Sequence, residues 1–128
     1  MEVPDLSVLR RPLVNALAVL AADAPVQAAW VDRHGVMVDE IALDFDHTFR
    51  TAGRLIEHRQ LSADAVTALR QIDALLVDMS GQAQADRWTR DALAGDSGWS
   101  RARHLARQVL IELSGKWDHN LPDIQAIR

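Results

Sequence analysis

The chain contains no cysteine, so disulfide bonds, thiolate nucleophiles and cysteine-ligated metal sites are excluded together. It also contains no apolar run that approaches the roughly 18 residues of a transmembrane helix. Its net charge is -4, so no overall positive field attracts nucleic acid or an anionic membrane. From these absences we predict that neither nucleic acid nor a membrane is a partner.

Recognisable catalytic motifs are missing as well. The sequence has no glycine-rich phosphate loop, no serine nucleophile elbow and no pair of histidines at metal-binding spacing. Ser80-Gly81 and Ser114-Gly115 are better explained as helix ends than as nucleophile motifs. We therefore predict no catalytic residue, no cofactor and no enzymatic activity.

The composition that remains is that of an ordinary globular protein. The chain has 128 residues, of which 48% are apolar and 25% charged, so we expect a single helical domain over residues 1–128. Glu2 and Asp5 precede the first apolar run, an order that does not suit a signal peptide, and we expect a cytoplasmic protein. Thirteen arginines against one lysine indicate a GC-rich, bacterial genome.

Apolar residues recur at intervals of three and four, which is the period of one helix face. Glycine or proline stands at nearly every junction, and the connections are short, which favours antiparallel neighbours. We predict an all-α fold, a compact bundle of five or six short helices. The first helix is expected to face the core with Leu6, Leu9, Leu13, Leu17 and Leu20. The tail is expected to pack through Trp117, Leu121, Ile124 and Ile127.

Residues 28–38 allow two interpretations. Pro25 can open a helix that ends at Gly35, where a left-handed residue commonly terminates a helix. The same segment contains β-branched and aromatic residues around Asp32–Gly35, which is compatible with a small hairpin that turns there. We favour the helix and keep the hairpin as the alternative.

The segment Ile41–Thr48, IALDFDHT, resembles the nucleophile motif of the haloacid-dehalogenase phosphatases, in which a strand delivers Asp-x-Asp-x-Thr to a phosphate site. The resemblance implies that Asp44 attacks phosphorus and that Asp46 handles the proton of the leaving group. Three other family positions are matched loosely, by Ser80, Lys116 and Asp123. The family's final acidic pair is missing, and His47 stands where the family commonly has glycine.

An amphipathic helix over residues 39–58 is the competing interpretation, and we favour it. Successive residues advance about 100° around a helix, so Asp44 and Asp46 would point about 200° apart and could not act on one phosphate. The apolar stripe of this helix would contain Ile41, Phe45, Ala52 and Leu55.

On that helix Glu40, Asp44 and His47 share one face. Carboxylate and imidazole groups inside a bundle can bind a divalent metal when other helices supply further ligands. Residues of the right type lie elsewhere, at Asp73, Asp78 and His104. No spacing ties them together, so an exposed face with local ion pairs is the favoured interpretation and the metal site is not predicted.

The last predicted helix carries a basic strip, formed by Arg101, Arg103, His104 and Arg107. Such a strip can contact nucleic acid or an acidic partner. It lacks interleaved aromatic residues for base stacking, and we interpret it as a solvated face.

The remaining candidates are aromatic or exposed apolar residues. Four tryptophans lie near segment ends, and such residues more often fill a core beneath a loop than bind a ligand. Trp88 and Trp99 flank one loop and are the best pair to line a surface groove. Leu43 and Ile111 fall nearly opposite the stripes of their helices, which suggests a partner surface or a homodimer.

By elimination, we expect a small soluble protein that works by binding another protein or itself, in an immunity-like, antitoxin-like or regulatory role. One alternative is a metal- or ligand-binding bundle, and another is the phosphatase that uses Asp44 and Asp46. The candidate partner or ligand surface consists of Glu40, Asp44, His47, Trp88 and Trp99.

Overall fold

The structure, a computed structural model, describes residues 7–123, without the side chains of residues 7–9 and of Gln82. Over this range the chain forms seven α-helices and one 3-10 helix, and the described residues contain no strand. The predicted all-α class is therefore confirmed. The helices are α1 (Ser7–Ala21), α2 (Ala24–His34), α3 (Asp39–Thr51), α4 (Gly53–Glu57), α5 (Ala63–Asp78), the 3-10 helix (Gln82–Trp88), α6 (Arg90–Gly95) and α7 (Ser97–Ser114).

Several helix ends follow local signals in the sequence. The Ser62 hydroxyl accepts a hydrogen bond from the Ala65 amide at 3.0 Å and so caps the start of α5. Two other helices end at a glycine in the left-handed conformation. Gly35 (φ 61°) terminates α2, and Gly115 (φ 81°) terminates α7. The positions of these helix ends can be predicted from the local sequence without knowledge of tertiary packing.

The hairpin alternative for residues 28–38 is wrong. Helix α2 continues to His34, and only a short connection separates it from α3. The Gly35 amide donates to the Asp32 carbonyl at 3.2 Å, which is a bond of a helix end and not of a strand ladder. The β-branched and aromatic side chains that suggested strands, Trp30 and Val31, are buried in the core by α2.

The described part of the chain has more helices than the five or six predicted, because two predicted segments divide. The segment over residues 39–58 breaks at Ala52 into α3 and α4. The segment after Gly81 becomes the 3-10 helix followed by α6, with the Thr89 side chain capping α6. Hydrophobic period alone does not reveal such breaks.

Four long helices form the body of the protein. Helix α7 packs along both α1 and α5, and α1 also packs along α3, whereas α3 and α5 have little contact with each other. The core between them includes Leu17, Phe45, Leu69, Trp99 and Val109, all fully buried. The four helices therefore form a ring with one loosely packed seam, between α3 and α5.

The C-terminal end of α1 is capped by side chains from α7 and α2. The Arg103 Nε donates to the Ala22 carbonyl at 2.9 Å, and the Arg107 Nε donates to the Ala21 carbonyl at 2.8 Å. The fully buried Gln27 donates to two further carbonyls of α1 at 3.0 Å each. Burial lowers the pKa of the Arg103 guanidinium, and the charge of Arg107 adds to this. Part of the predicted basic strip is thus structural, because cations suit a helix C-terminus.

The first part of the tail after Gly115 packs against the body of the protein, as predicted. The Arg107 guanidinium lies 3.7 Å from the centre of the Trp117 ring, and the Trp30 indole donates to the Pro122 carbonyl at 2.8 Å. Leu121 is half-buried. The predicted contacts of Leu6, Ile124 and Ile127, and of the Leu9 side chain, lie outside the described residues.

Within residues 7–123, no helix taken singly has both the length and the apolar composition to cross a bilayer. The first two helices reach that composition only as a pair, and they are bent against each other by 117°.

Candidate functional site

A groove of about 400 Å³ opens at the seam between α3 and α5. Its walls are the first two turns of α3 and the last two turns of α5, and Trp88 of the 3-10 helix contributes a further side. Phe45 and Leu76 form its buried apolar floor. The groove exists because α1 and α7 each pack on two neighbours while α3 and α5 do not close on each other.

Two large apolar side chains stand exposed at this groove, one on each wall. Leu43 of α3 is 59% exposed and Val77 of α5 is 68% exposed, and both line the groove. Burying a side chain of this kind is worth about 1.5–3 kcal/mol relative to leaving it in water. A partner that covered both would therefore gain a substantial part of its binding free energy here. The predicted exposure of Leu43 is confirmed, as is that of Ile111 on α7.

The predicted pairing of Trp88 with Trp99 as groove residues holds for Trp88 only. Trp88 is half-buried and lines the groove, and its indole donates to the Met79 carbonyl at 2.8 Å. Trp99 packs edge-on against Trp88, with 5.4 Å between the ring centres, but it is fully buried. Its indole donates to the Arg87 carbonyl at 2.7 Å. Trp99 is a core residue that supports Trp88 from behind.

An ion pair fixes the 3-10 helix that carries Trp88. The Arg87 guanidinium contacts both oxygens of Asp96, at 2.9 and 3.1 Å, and these donated bonds lower the pKa of the Asp96 carboxyl. Gly98 permits this packing, because a Cβ there would lie 2.5 Å from the Arg87 Nη2 and 2.6 Å from the Met79 Sδ. The position of Trp88 in the groove is therefore tied to the start of α7.

The groove is acidic. Asp39 and Asp46 of α3 and Asp73 of α5 line it, and the described residues of its lining include no lysine, arginine or histidine. The Asp46 carboxylate is partly offset by Arg50, whose Nε lies 2.9 Å from it. Asp39 and Asp73 form no ion pair with any residue in the described range. The groove thus combines an apolar floor and rim with a negative margin.

The structure places the other predicted surface residues outside this groove. Glu40 and Asp44 are half-buried on α3 and His47 is exposed, and none of the three lines the groove. Across residues 7–123, no group of three or more histidine, aspartate or glutamate side chains is arranged to hold a metal ion. In that range, the candidate ligands on other helices therefore do not complete a set of three with the residues of this face.

The resemblance of IALDFDHT to the phosphatase motif does not extend to the structure. The segment lies within α3 and not at the end of a strand, and Asp46 lines the groove while Asp44 does not. Two carboxylates that leave a helix in different directions cannot share one phosphate. Ser80, a loose match to a second family position, follows α5, and its hydroxyl donates to the Leu76 carbonyl at 2.6 Å.

Sequence reasoning missed most of the groove. The exposure of Val77 could have been predicted, since the consecutive apolar residues Leu75, Leu76 and Val77 cannot all lie on one helix stripe. The sequence gives no comparable signal for Asp39 and Asp73, because their presence in one groove depends on how α3 and α5 pack.

The groove thus has exposed apolar side chains on two walls, an aromatic side chain on a third side and acidic margins. Comparison of the chain with protein-family models, with curated proteins and with solved structures gives no match.

Proposed function

We propose that this protein is a binding module that takes up an apolar segment of another protein in the groove between α3 and α5. The observation that carries the proposal is the exposure of Leu43 and Val77 on the two walls of one groove. Single exposed apolar residues are common, but two that line one concave site rimmed by polar groups are typical of an interaction surface.

A helix is the form of partner segment that suits this groove best. The seam is the one side of the four-helix ring where neighbouring long helices do not pack closely, so an added helix would complete the pattern. Amphipathic helices commonly bind by laying an apolar face into such a groove. Immunity-like, antitoxin-like and regulatory roles all belong to this proposal, because each acts by occupying a surface of the partner.

Binding of a segment is tested with a peptide of defined pattern. The probe is a 14-residue peptide with leucine at positions i, i+3, i+4 and i+7 and uncharged glutamine and alanine elsewhere. Titrated into isotope-labelled protein, it should shift the amide signals of the first half of α3 and the last half of α5, together with the Trp88 indole.

Matched variants make the test specific for the groove. Leu43→Glu and Val77→Glu should each weaken peptide binding by about tenfold, which corresponds to about 1.4 kcal/mol. Ile111→Glu is the control, because Ile111 is 51% exposed on α7 and lies outside the groove. Equal binding by Leu43→Glu and wild type, or signal shifts centred on α7, would overturn the proposal.

A second copy of the chain is the competing occupant that the test must exclude, because exposed apolar surfaces of two copies can also pair with each other. Sedimentation velocity at high protein concentration distinguishes the two. A dimer built on the groove should dissociate in Leu43→Glu but not in Ile111→Glu. A monomeric wild type would leave a different protein as the partner.

A further inference from the structure

We infer that the segment bound by the groove carries lysine or arginine on both sides of its apolar stripe. This inference rests on the proposed function and adds the charge of the partner to it. Among the described residues, the lining of the groove contains three carboxylates and no cationic side chain, and of these three carboxylates only that of Asp46 is paired with an arginine.

The acids have a regular relation to the apolar rim. Asp39 precedes Leu43 by four residues on α3, and Asp73 precedes Val77 by four residues on α5. Residues at this spacing lie on the same face of a helix, one turn apart. Each exposed apolar residue therefore has a carboxylate beside it, and a helix that covers Leu43 and Val77 comes close to both charges.

The length of the groove defines the matching segment. Its lining runs from Asp39 to Asp46 on α3, and from Asp73 on α5 to Ser80 and Gly81, which follow that helix. Seven residue steps of a helix cover about 10 Å, so about two turns of a partner helix fit. Apolar residues at i, i+3 or i+4, and i+7 would fill the floor, and cationic residues next to that stripe would meet the carboxylates.

The same charges argue against a second copy as the occupant. A two-fold symmetric dimer brings the same patch of both subunits together. Here that would place Asp39 and Asp73 against the acids of the other copy, and like charges across an interface are unfavourable. Charge complementarity therefore selects a different, basic partner.

Three peptides with one leucine stripe test the inference. They differ only in the residues beside the stripe, which are lysine in the first, glutamine in the second and glutamate in the third. At low salt, wild-type protein should bind the lysine peptide roughly three- to thirty-fold more tightly than the glutamine peptide, and the glutamate peptide most weakly. The preference should shrink toward equality in about 0.5 M sodium chloride, because salt screens these charges.

The double variant with Asp39→Asn and Asp73→Asn locates the effect. It should lose most of the preference for lysine, so that its affinities for the lysine and glutamine peptides become similar. The control is Asp64→Asn with Asp118→Asn, which changes net charge equally at exposed positions outside the groove. Thermal unfolding followed by circular dichroism verifies that both double variants are folded.

The outcomes separate the two claims. Equal binding of the lysine and glutamine peptides, or a preference that survives in the double variant, overturns the inference and leaves the binding groove intact. Tightest binding of the glutamate peptide overturns it as well. If none of the three peptides binds, the proposed function fails and the inference fails with it.

Discussion

The Arg103 guanidinium of α7 donates a hydrogen bond to the carbonyl oxygen of Ala22, 81 residues earlier in the chain, at 2.9 Å. The same group donates to Gln27 at 2.9 Å and to the Leu93 carbonyl at 2.8 Å. One side chain thus joins the end of α1, the buried amide of α2 and helix α6 to α7. A basic residue that looks available for a partner is occupied inside the fold.

Arg103→Ala should destabilise the protein by about 1.5–3 kcal/mol, because it removes hydrogen bonds from a charged donor and leaves buried acceptors unpaired. The measurement is urea unfolding followed by circular dichroism. Arg101→Ala is the matched control on the same helix, and its exposed side chain predicts a change within about 0.5 kcal/mol. Equal losses in the two variants would contradict a structural role for Arg103.

Gly98→Ala should cost about 1–3 kcal/mol, the range for forcing an extra carbon into a packed site. The new Cβ would meet Arg87, Met79 and Asp96 atoms at 2.5, 2.6 and 2.8 Å. Gly53→Ala is the control in α4, where nothing lies within 4 Å of the added carbon, and it should be neutral or stabilising. Thermal unfolding of both variants measures the difference, and a neutral Gly98→Ala would show that this packing is loose.

Asp96→Asn should destabilise the protein at neutral pH and have less effect in acid. Arg87 lowers the pKa of the folded Asp96 carboxyl, so its contribution is fully present above its unfolded pKa of about 3.9. That contribution disappears as the pH falls through the lower, folded pKa, because the carboxyl is then protonated in both states.

Urea unfolding at several pH values from 7 down to about 3 measures this difference. Asparagine is itself a good N-cap, so the variant reports mainly on the ion pair with Arg87. Asp86→Asn, an exposed change on the 3-10 helix, serves as the control and should change the free energy of unfolding little. A gap between Asp96→Asn and wild type that stays constant with pH would contradict the role given to the ion pair.

The rim and the floor of the groove should respond differently to truncation. Leu43→Ala should change the free energy of unfolding by less than about 0.5 kcal/mol, because the side chain is 59% exposed. Phe45→Ala, two residues away and fully buried, should cost about 3–5 kcal/mol. Chemical unfolding of the pair measures both, and comparable losses would mean that Leu43 belongs to the core.

The protein should not hydrolyse p-nitrophenyl phosphate with magnesium above the rate of buffer. The reason is the placement of Asp44 and Asp46 on a helix, from which they cannot converge on one phosphate. The measurement is release of nitrophenol by wild type, with Asp44→Asn as the comparison. Hydrolysis by wild type that is lost in Asp44→Asn would contradict this prediction.

Much of the fold could be predicted from local signals. Gly35, Ser62 and Gly115 each define a helix end through backbone geometry or a cap, and those signals act within a few residues. The break at Ala52 could not be predicted in the same way, since apolar residues continue across it with an unchanged period. Where the structure differs from the prediction made from local signals, packing between helices determines where a helix breaks.

The candidate site could be predicted only in part. Leu43 and Trp88 were identified because an apolar residue off its stripe and an aromatic residue beside a loop are visible in a single segment. Asp73 and Val77 belong to the groove only because α5 lies across the seam from α3. Trp99 fills the core and does not line the groove, and the local sequence does not distinguish these two roles because its burial depends on the packing of α7 against the rest of the bundle.

Because Leu43 and Val77 project from the walls without supporting the core, they can be replaced without rebuilding the bundle. Phe45 and Leu76 beneath them cannot, since both are buried in it. The protein therefore separates the residues that would choose a partner from those that hold its shape. Changes of a few rim residues would then alter the proposed binding specificity while the scaffold stays constant, which makes the groove a suitable starting point for engineering.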